Sequence, residues 1–304
     1  MPGPAKVCAI TVNWMRCDDT LECIASLYQG GVPDLDIIVI DNGSDDGSVE
    51  RIRRSFPHVT IKSNQTNEGY AKAANQGIRM ALKQGADYIL TINNDAVGRG
   101  EFIKEMIEAF QRHDDCGVMG CKIYYYDTDN IWYAGGYFNE WLGVSRHPGM
   151  DQRDNGAKLE SRTDFVTGCV MLTKADVFRK VGLFDEMIMI YSEDLDFCLR
   201  AHRYGYESWY VPTAVVFHKV SMTTGQGGSN YMTQYRCYYY ARNSLLVMAK
   251  NQSGLKLVTS FAGQVFILLP YYFMLISMQH STGGFKKYVG GLLKGMKMLV
   301  EKHE

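Results

Sequence analysis

From Val7 to Val118 the chain alternates short apolar runs with stretches whose apolar residues recur at three and four positions. A short continuous run reads as a strand buried on both faces, and the three-four spacing reads as one face of a helix. The alternation therefore predicts an α/β domain built on a largely parallel sheet. Strands are expected in VCAITVNW, DIIVID, VTIKS, YILTIN and VMGCKIY, and helices in DDTLECIASLY, GSVERIRRSF, AKAANQGIRMALKQG and EFIKEMIEAFQRH. The rhythm fails from Tyr125 to Arg162, where Gly135, Gly136, Gly143, Gly149 and Gly156 punctuate a mixed-charge stretch. An excursion of that length in a compact domain is usually functional or mobile. Regular structure is expected to resume in DFVTGCVMLTKADVFRKVG, a strand and a helix, then in SEDLDFCLRAHRYG, a helix, and in AVVFH, a strand ending in His218. Beyond Tyr231 only helical patterns follow, which places a boundary near Gly225 to Gly228.

With 304 residues the chain has room for one large domain and an appendage, and no internal repeat is visible. Its 32 basic and 33 acidic residues create no overall field to gather nucleic acid, so a nucleic-acid partner is not expected. The eight cysteines are scattered without a CxxC pair or zinc-like spacing and read as reduced core thiols of a cytosolic protein. The opening MPGPAKVCAITVNW lacks the charged and apolar segments of a secretory signal, so the site is expected to face the cytoplasm.

Four stretches carry candidate chemistry. In IIVIDNGSDDGS, Asp41 ends a strand at the edge where open α/β sheets bind ligands, and a carboxylate there can accept a ring N–H from uracil, thymine or guanine. Read alone, Asn42 to Ser48 serves equally as a turn leading into a helix. Neither GxGxxG nor GxxxxGK[ST] occurs, so a nucleotide's diphosphate needs another partner. In YILTINNDA the strand runs into Asn93, Asn94 and Asp95, hard oxygen donors suited to Mg²⁺ or Mn²⁺ with phosphate oxygens completing the shell, or alternatively a polar turn before Gly98. In YSEDLDFCLRA, Ser192 reads as an N-cap and Asp196 with Arg200 as a structural ion pair. Glu193 and Asp194 then fall in the first turn, where the helix dipole favours acids; Asp194 is also placed to take a proton from an attacking hydroxyl. His218, one strand later, can turn its imidazole to a metal or a phosphate.

Taken together, VNW, VIDNGSDDGS, NEGYAKAANQG, INNDA, FVTGCVML, GLFDE, YSEDLDFCLRA and FHKVSMTTG resemble, in order and from residue 6 to about 250, the family 2 glycosyltransferases and their rhamnosyltransferase-like branch. The resemblance implies the GT-A fold, a Rossmann-like mixed sheet flanked by helices, with a catalytic domain over 1–227 and a helical extension over 228–304. The donor half would run to about 124 and the acceptor half over 125–227. It implies inverting transfer of a sugar from a dTDP- or UDP-sugar, L-rhamnose in this branch, to a glycan or lipid-linked glycan acceptor in cell-surface polysaccharide or glycolipid assembly. By motif position, Asp41 would bind the pyrimidine with Thr11 and Asn13 beside it, and Asn67 and Asn75 would approach the nucleoside. Asn93, Asn94 and Asp95 stand at the DxD motif with Asp95 as metal ligand, His218 as the second ligand and Asp194 as general base. Lys219 or a nearby arginine would offset charge on the departing diphosphate. Asn93 departs from the aspartate that many members have, and matches the branch. A sugar nucleotidyltransferase would want a glycine-rich basic N-terminal loop that ITVNWMRCDD lacks; a silent nucleotide-sugar-binding scaffold would not need Asp194 and His218.

Leu257 to Met278 carries no formal charge over 22 residues, long enough to span a bilayer, but Thr259, Ser260, Gln264 and Pro270 weaken that reading. The following stretch spaces Phe285, Tyr288, Leu292, Met296 and Leu299 helically among Lys286, Lys287, Lys294 and Lys297. Peripheral membrane contact at the inner face, a homodimer or core packing, and a true span all remain open.

Overall fold

The structure, a computed structural model, describes residues 5–156, 159–220 and 231–301. The expected boundary near Gly225 to Gly228 and the polar run after Val220 lie outside the described residues. The elements are β1 (Val7–Asn13), α1 (Cys17–Tyr28), β2 (Asp36–Asp41), α2 (Ser48–Ser55), β3 (Thr60–Ser63), α3 (Tyr70–Lys83), β4 (Tyr88–Asn93), β5 (Ala96–Arg99), α4 (Phe102–Phe110) and β6 (Cys116–Tyr125). They continue as β7 (Ile131–Tyr133), β8 (Tyr137–Asn139), β9 (Val144–Arg146), β10 (Ser161–Thr163), β11 (Val170–Lys174), α5 (Ala175–Val181), α6 (Glu193–Arg203) and β12 (Glu207–His218). The chain closes with α7 (Gln234–Asn251), α8 (Gly254–Gly263), a π-helical turn (Gln264–Leu268), α9 (Leu269–Met278) and α10 (Gly284–Glu301).

The main sheet runs β10-β12-β6-β11-β4-β1-β2-β3, with β5 added to β12 and β7 to β6. β3, β2, β1 and β4 are mutually parallel, as the alternating pattern requires. β11 then inserts antiparallel between β4 and β6, so the sheet is mixed beyond β4. Strand periodicity divides the core: Val7, Ala9, Leu90 and Ile92 pack under α1, α2 and α4, while Cys8, Ile10 and Ile89 pack under α3, α5 and α6. Gly77 lets α3 cross β1 closely, because a Cβ there would sit 2.4 Å from the Ile10 side chain. All eight cysteines are buried and free, as expected of core thiols.

β1 is flanked by β2 on one side and β4 on the other, so the strand order reverses there and the carboxyl ends of β1 and β4 border a crevice. The long β12 returns through the sheet to end at His218, paired with Ala96 of β5 just past Asp95. The 125–162 excursion is four short strands with turns. The apolar stretch after residue 253 is one helix of 25 residues, Gly254–Met278, with the π turn placed just before Pro270.

Candidate active site

A chain of buried side chains runs along the carboxyl edge. Asn13 Nδ2 donates to Asp41 Oδ1 at 2.7 Å, Thr20 Oγ1 donates to Asn13 Oδ1 at 2.6 Å, and Asn94 Nδ2 donates to Thr20 Oγ1 at 3.0 Å. Asp41 Oδ2 also accepts the Ser44 N–H at 3.1 Å. At 1% exposure its carboxylate props up the turn that a base would meet, and reaching it directly needs that turn to open. Thr11 is enclosed one step below Asn13, away from the edge. Asn94, spent on Thr20, belongs to this bracing network and not to the cavity wall.

Asp95 and His218 meet at the end of β12, with His218 Nε2 3.1 Å from Asp95 Oδ1 and both side chains buried. Two neighbouring ligands of an octahedral cation at about 2.1 Å stand about 3.0 Å apart by geometry alone, so this pair is already spaced to hold one. Among the described residues no third His, Cys, Asp or Glu joins them. Such a site would leave most positions to phosphate oxygens and water, the usual condition of Mg²⁺ and of similar hard ions. The Trp132 ring meets the imidazole edge-on at 4.5 Å and walls off its outer side.

The helix carrying Asp194 begins after a contorted approach: Met189, Tyr191 and Ser192 have φ of 65°, 63° and 69°. Each costs about 1–2 kcal/mol for a residue with a Cβ. Ser192 holds the N-cap position expected of it, but its side chain makes no capping bond, because capping geometry requires an extended backbone there. The ion pair read from spacing is present: Arg200 Nε donates to Asp196 Oδ2 at 2.7 Å.

Glu193 and Asp194 both face the cavity, and their environments differ. Asp194 Oδ2 accepts the Gly168 N–H and Oδ1 the Leu195 N–H, each at 2.7 Å. Glu193 Oε2 is buried with no hydrogen-bond partner among the described residues. Burial, then repulsion from Asp194, pushes the Glu193 carboxyl up to about 8. Burial also raises Asp194, opposed by its backbone donors. Two adjacent buried carboxyls hold one proton between them near neutrality, and the donors assign the charge to Asp194.

These groups line one cavity of ≈ 670 Å³. Asn93, Asp95, His218, Glu193 and Asp194 are its acidic and polar lining; Trp132, Gly143 and His147 come from the excursion, Tyr191 from the approach to α6, and Arg236, Tyr240, Ile267 and Tyr271 from the C-terminal helices. Arg236, 7% exposed, is a cation no local sequence signal marked. Two expectations need correction. Asn75 accepts the Phe184 N–H and donates to the Phe184 carbonyl and to Glu186, so its whole amide braces the turn at 184–186 and none is left for a nucleoside. Lys219 pairs with Asp19 and Glu22 of α1 and does not line the cavity; burial lowers its pKa, and those two carboxylates outweigh burial and hold it above the usual range. Asn67 is exposed and accepts from Asn42 Nδ2 and the Gly69 N–H, shaping the turn into α3.

Residues 8–182 match the model of glycosyl transferase family 2. The chain belongs to that family. Its relatives include dTDP-rhamnosyl transferase RfbF of Shigella flexneri, 27% identical over 274 residues, 86% of each chain. Another is the N-acetylglucosaminyl-diphospho-decaprenol L-rhamnosyltransferase of Mycobacterium tuberculosis, 25% identical over 258 residues, 76% of this chain and 80% of that one. The mannosyltransferase PcManGT of Pyrobaculum calidifontis, solved with GDP-Man and Mn²⁺, superposes with a TM-score of 0.60 at 14% identity, covering 96% of this chain and 87% of that one. The protein is thus a glycosyltransferase of the GT-A fold. In this family 2 enzyme the family match ends before Asp194 and His218, whose placement rests on the geometry above.

The Glu193 carboxyl has a measurable consequence. Below about pH 4.5 both folded and unfolded chains keep its proton; between 4.5 and about 8 the unfolded chain loses it while the folded chain retains it. Folding then takes up a proton, so stability falls as pH rises through that window and levels off above it. Denaturant titrations of Glu193→Gln are expected to show a variant that gains on the wild type across the window, by an amount on the order of 1–3 kcal/mol. Parallel pH profiles would show that the carboxyl is not held protonated.

Proposed function

We propose that the protein transfers L-rhamnose from dTDP-L-rhamnose to a hydroxyl of a glycan or lipid-linked glycan, with inversion, in building a cell-surface polysaccharide or glycolipid. The observation that carries this reading is the Asp194 carboxylate, held by the Gly168 and Leu195 N–H groups and set beside Glu193 in the cavity that the Asp95–His218 pair also lines. The relatives' names supply the sugar and the nucleotide.

On this reading the acceptor hydroxyl gives its proton to Asp194 as its oxygen bonds the anomeric carbon, and the bond from that carbon to the diphosphate breaks with its electrons staying on the diphosphate. Asp194 must be ionised to do this, and the backbone donors from Gly168 and Leu195 keep it so and aim it. Mg²⁺ or Mn²⁺ held by Asp95 and His218 would supply positive charge to the departing diphosphate. Arg236 provides a second cation in the same cavity, in the role the sequence assigned to Lys219 or a nearby arginine. The turn anchored by Asp41, Asn13 and Asn67 receives the nucleoside, and Asn93 keeps the diphosphate edge polar, with Asn94 bracing the residues behind it. Residues 1–227 make the catalytic domain and 228–304 a helical region fixed to it.

The exposed apolar side of that helical region supports a peripheral position at the inner face of the membrane. Along Gly254–Met278, Ser260 and Gln264 are buried against the catalytic domain, with Gln264 Nε2 donating to the Gly143 carbonyl, while Val258, Phe266, Phe273, Met274 and Met278 stand exposed. A helix docked by one face along a water-soluble domain lies on a bilayer surface and does not cross it. α10 packs its glycine face on α7, where a Cβ at Gly291 would sit 2.2 Å from the Tyr238 carbonyl, and turns Leu293, Met296 and Val300 outward next to Lys294 and Lys297.

Calorimetric titration of the purified protein with dTDP, UDP and GDP, each with Mn²⁺ and with chelator, is expected to show dTDP bound and tightened by the ion about tenfold. Asp95→Ala or His218→Ala should abolish the tightening and leave ion-free binding. Preference for UDP would move the donor to a UDP-sugar, and binding of none of the three would refute the transferase site. In flotation with phosphatidylglycerol vesicles, replacing both Phe266 and Phe273 by Asp should lower the bound fraction about tenfold. Unchanged flotation would contradict the membrane face.

A further inference from the structure

We propose that Asn243 of α7 is a positioning residue for the reaction: it holds the contorted Met187–Ser192 segment in the one shape that presents Asp194 to the cavity. The proposal rests on reading Asp194 as the base. The segment's own support is slight, two tight turns in which the Ile188 N–H reaches the Asp185 carbonyl and the Ile190 N–H reaches the Ile188 carbonyl. Three of its last four residues lie at positive φ without being glycine. A backbone of that kind persists only where its surroundings over-determine it.

Beside the Ala71 N–H of α3, which donates to the Met189 carbonyl at 2.9 Å, Asn243 supplies most of the determination. Its Nδ2 lies 3.0, 2.7 and 2.8 Å from the carbonyl oxygens of Ile188, Ile190 and Tyr191, so successive peptide groups that point apart in ordinary structure converge on one amide. The amide is fully buried, and its orientation is fixed independently. Arg242 Nε donates to Asn243 Oδ1 at 2.8 Å, and because a guanidinium can only donate, the atom facing it must be the oxygen. The NH₂ is thereby left to the three carbonyls. Arg242 Nη2 adds bonds to the Met187 and Ile188 carbonyls at 3.0 and 2.8 Å. Further along α7, Lys250 pairs with Asp185, and Asn251 Nδ2 donates to Asp196 Oδ1 at 2.8 Å. One helix therefore grips both ends of the segment that contains the base.

The last of Asn243's three bonds, to Tyr191, falls three residues before Asp194. A shift of Ser192 would rotate the start of α6 and carry the carboxylate off the Gly168 N–H, which both aims it and lowers its proton affinity. Loosening the clamp should then slow the chemical step, raise the pH at which the base ionises, and leave the donor's binding contacts alone. A role in stability only would move none of these selectively.

The test uses the full chain, with dTDP release from dTDP-L-rhamnose in the presence of cell-envelope lipid extract as the turnover readout and dTDP calorimetry as the binding readout. Asn243→Ala is expected to lower kcat about 100-fold, with KM for the donor and Kd for dTDP within about threefold of the wild type. The acid limb of its pH profile should move up by about one unit. Adding Ser192→Gly, which removes one positive-φ penalty at a side chain that caps nothing, should recover part of the lost kcat. Unchanged kcat and pH limb, a parallel loss of dTDP binding, or failure of both variants to fold would each overturn the clamp. Asp194→Asn measured alongside separates the two levels: if it keeps full turnover the base reading falls and the clamp with it, whereas an inactive Asp194→Asn beside a normal Asn243→Ala removes the clamp alone.

Discussion

Three carboxyl groups share one enclosed cavity, and compensating them organises the site. Asp95 is matched by His218, Asp194 by two backbone N–H groups, and Glu193 by keeping its proton. Each solution recruits a different part of the fold: β12 must reach back to β5 to deliver His218, the Gly168 peptide must approach the start of α6 without a side chain between, and β4 must end where β12 does. An unmatched buried carboxylate would cost several kcal/mol, more than the fold can absorb without such partners. The cavity is charged where a diphosphate and a cation would lie, and aromatic and apolar toward the C-terminal helices.

Those helices help to line the cavity. α7 holds the approach to α6, contributes Arg236 and Tyr240 to the cavity, and carries α10 on its other side through close glycine contacts. The helix at 254–278 gives Ile267 and Tyr271 to the cavity wall while exposing Phe266 and Phe273 outward. The same helix thus borders the acceptor end of the site and the proposed membrane face, an arrangement suited to an acceptor that stays in the bilayer.

Much of this was legible along the chain. YILTIN and DIIVID are strands with the bounds expected, because a short apolar run ended by polar residues leaves few alternatives. That Asp95, His218 and Asp194 border one cavity was legible because Asp95 follows the end of β4, His218 ends β12 and Asp194 lies in the first turn of α6, positions that bring side chains to the sheet's carboxyl edge. Asn75 and Lys219 misled because their partners are distant in sequence: residues 184–186 lie more than a hundred positions from Asn75, and Asp19 lies 200 positions from Lys219. Arg236 and Asn243 went unmarked for the complementary reason. Both sit in an ordinary helical pattern, and only the fold brings them against Tyr191 and the segment before Asp194. The excursion at 125–162 proved to be short strands whose pairing depends on partners such as Phe165 and β12, which local periodicity does not encode.

The central claim is that a single carboxylate, Asp194, deprotonates the acceptor on the face opposite the departing diphosphate, so that one displacement completes the transfer. The most direct test is the anomeric configuration of the product, read by NMR from transfer with a configurationally defined dTDP-L-rhamnose before any equilibration. The account predicts a glycosidic bond of configuration opposite to the donor's; a product that retains the donor's configuration would contradict it.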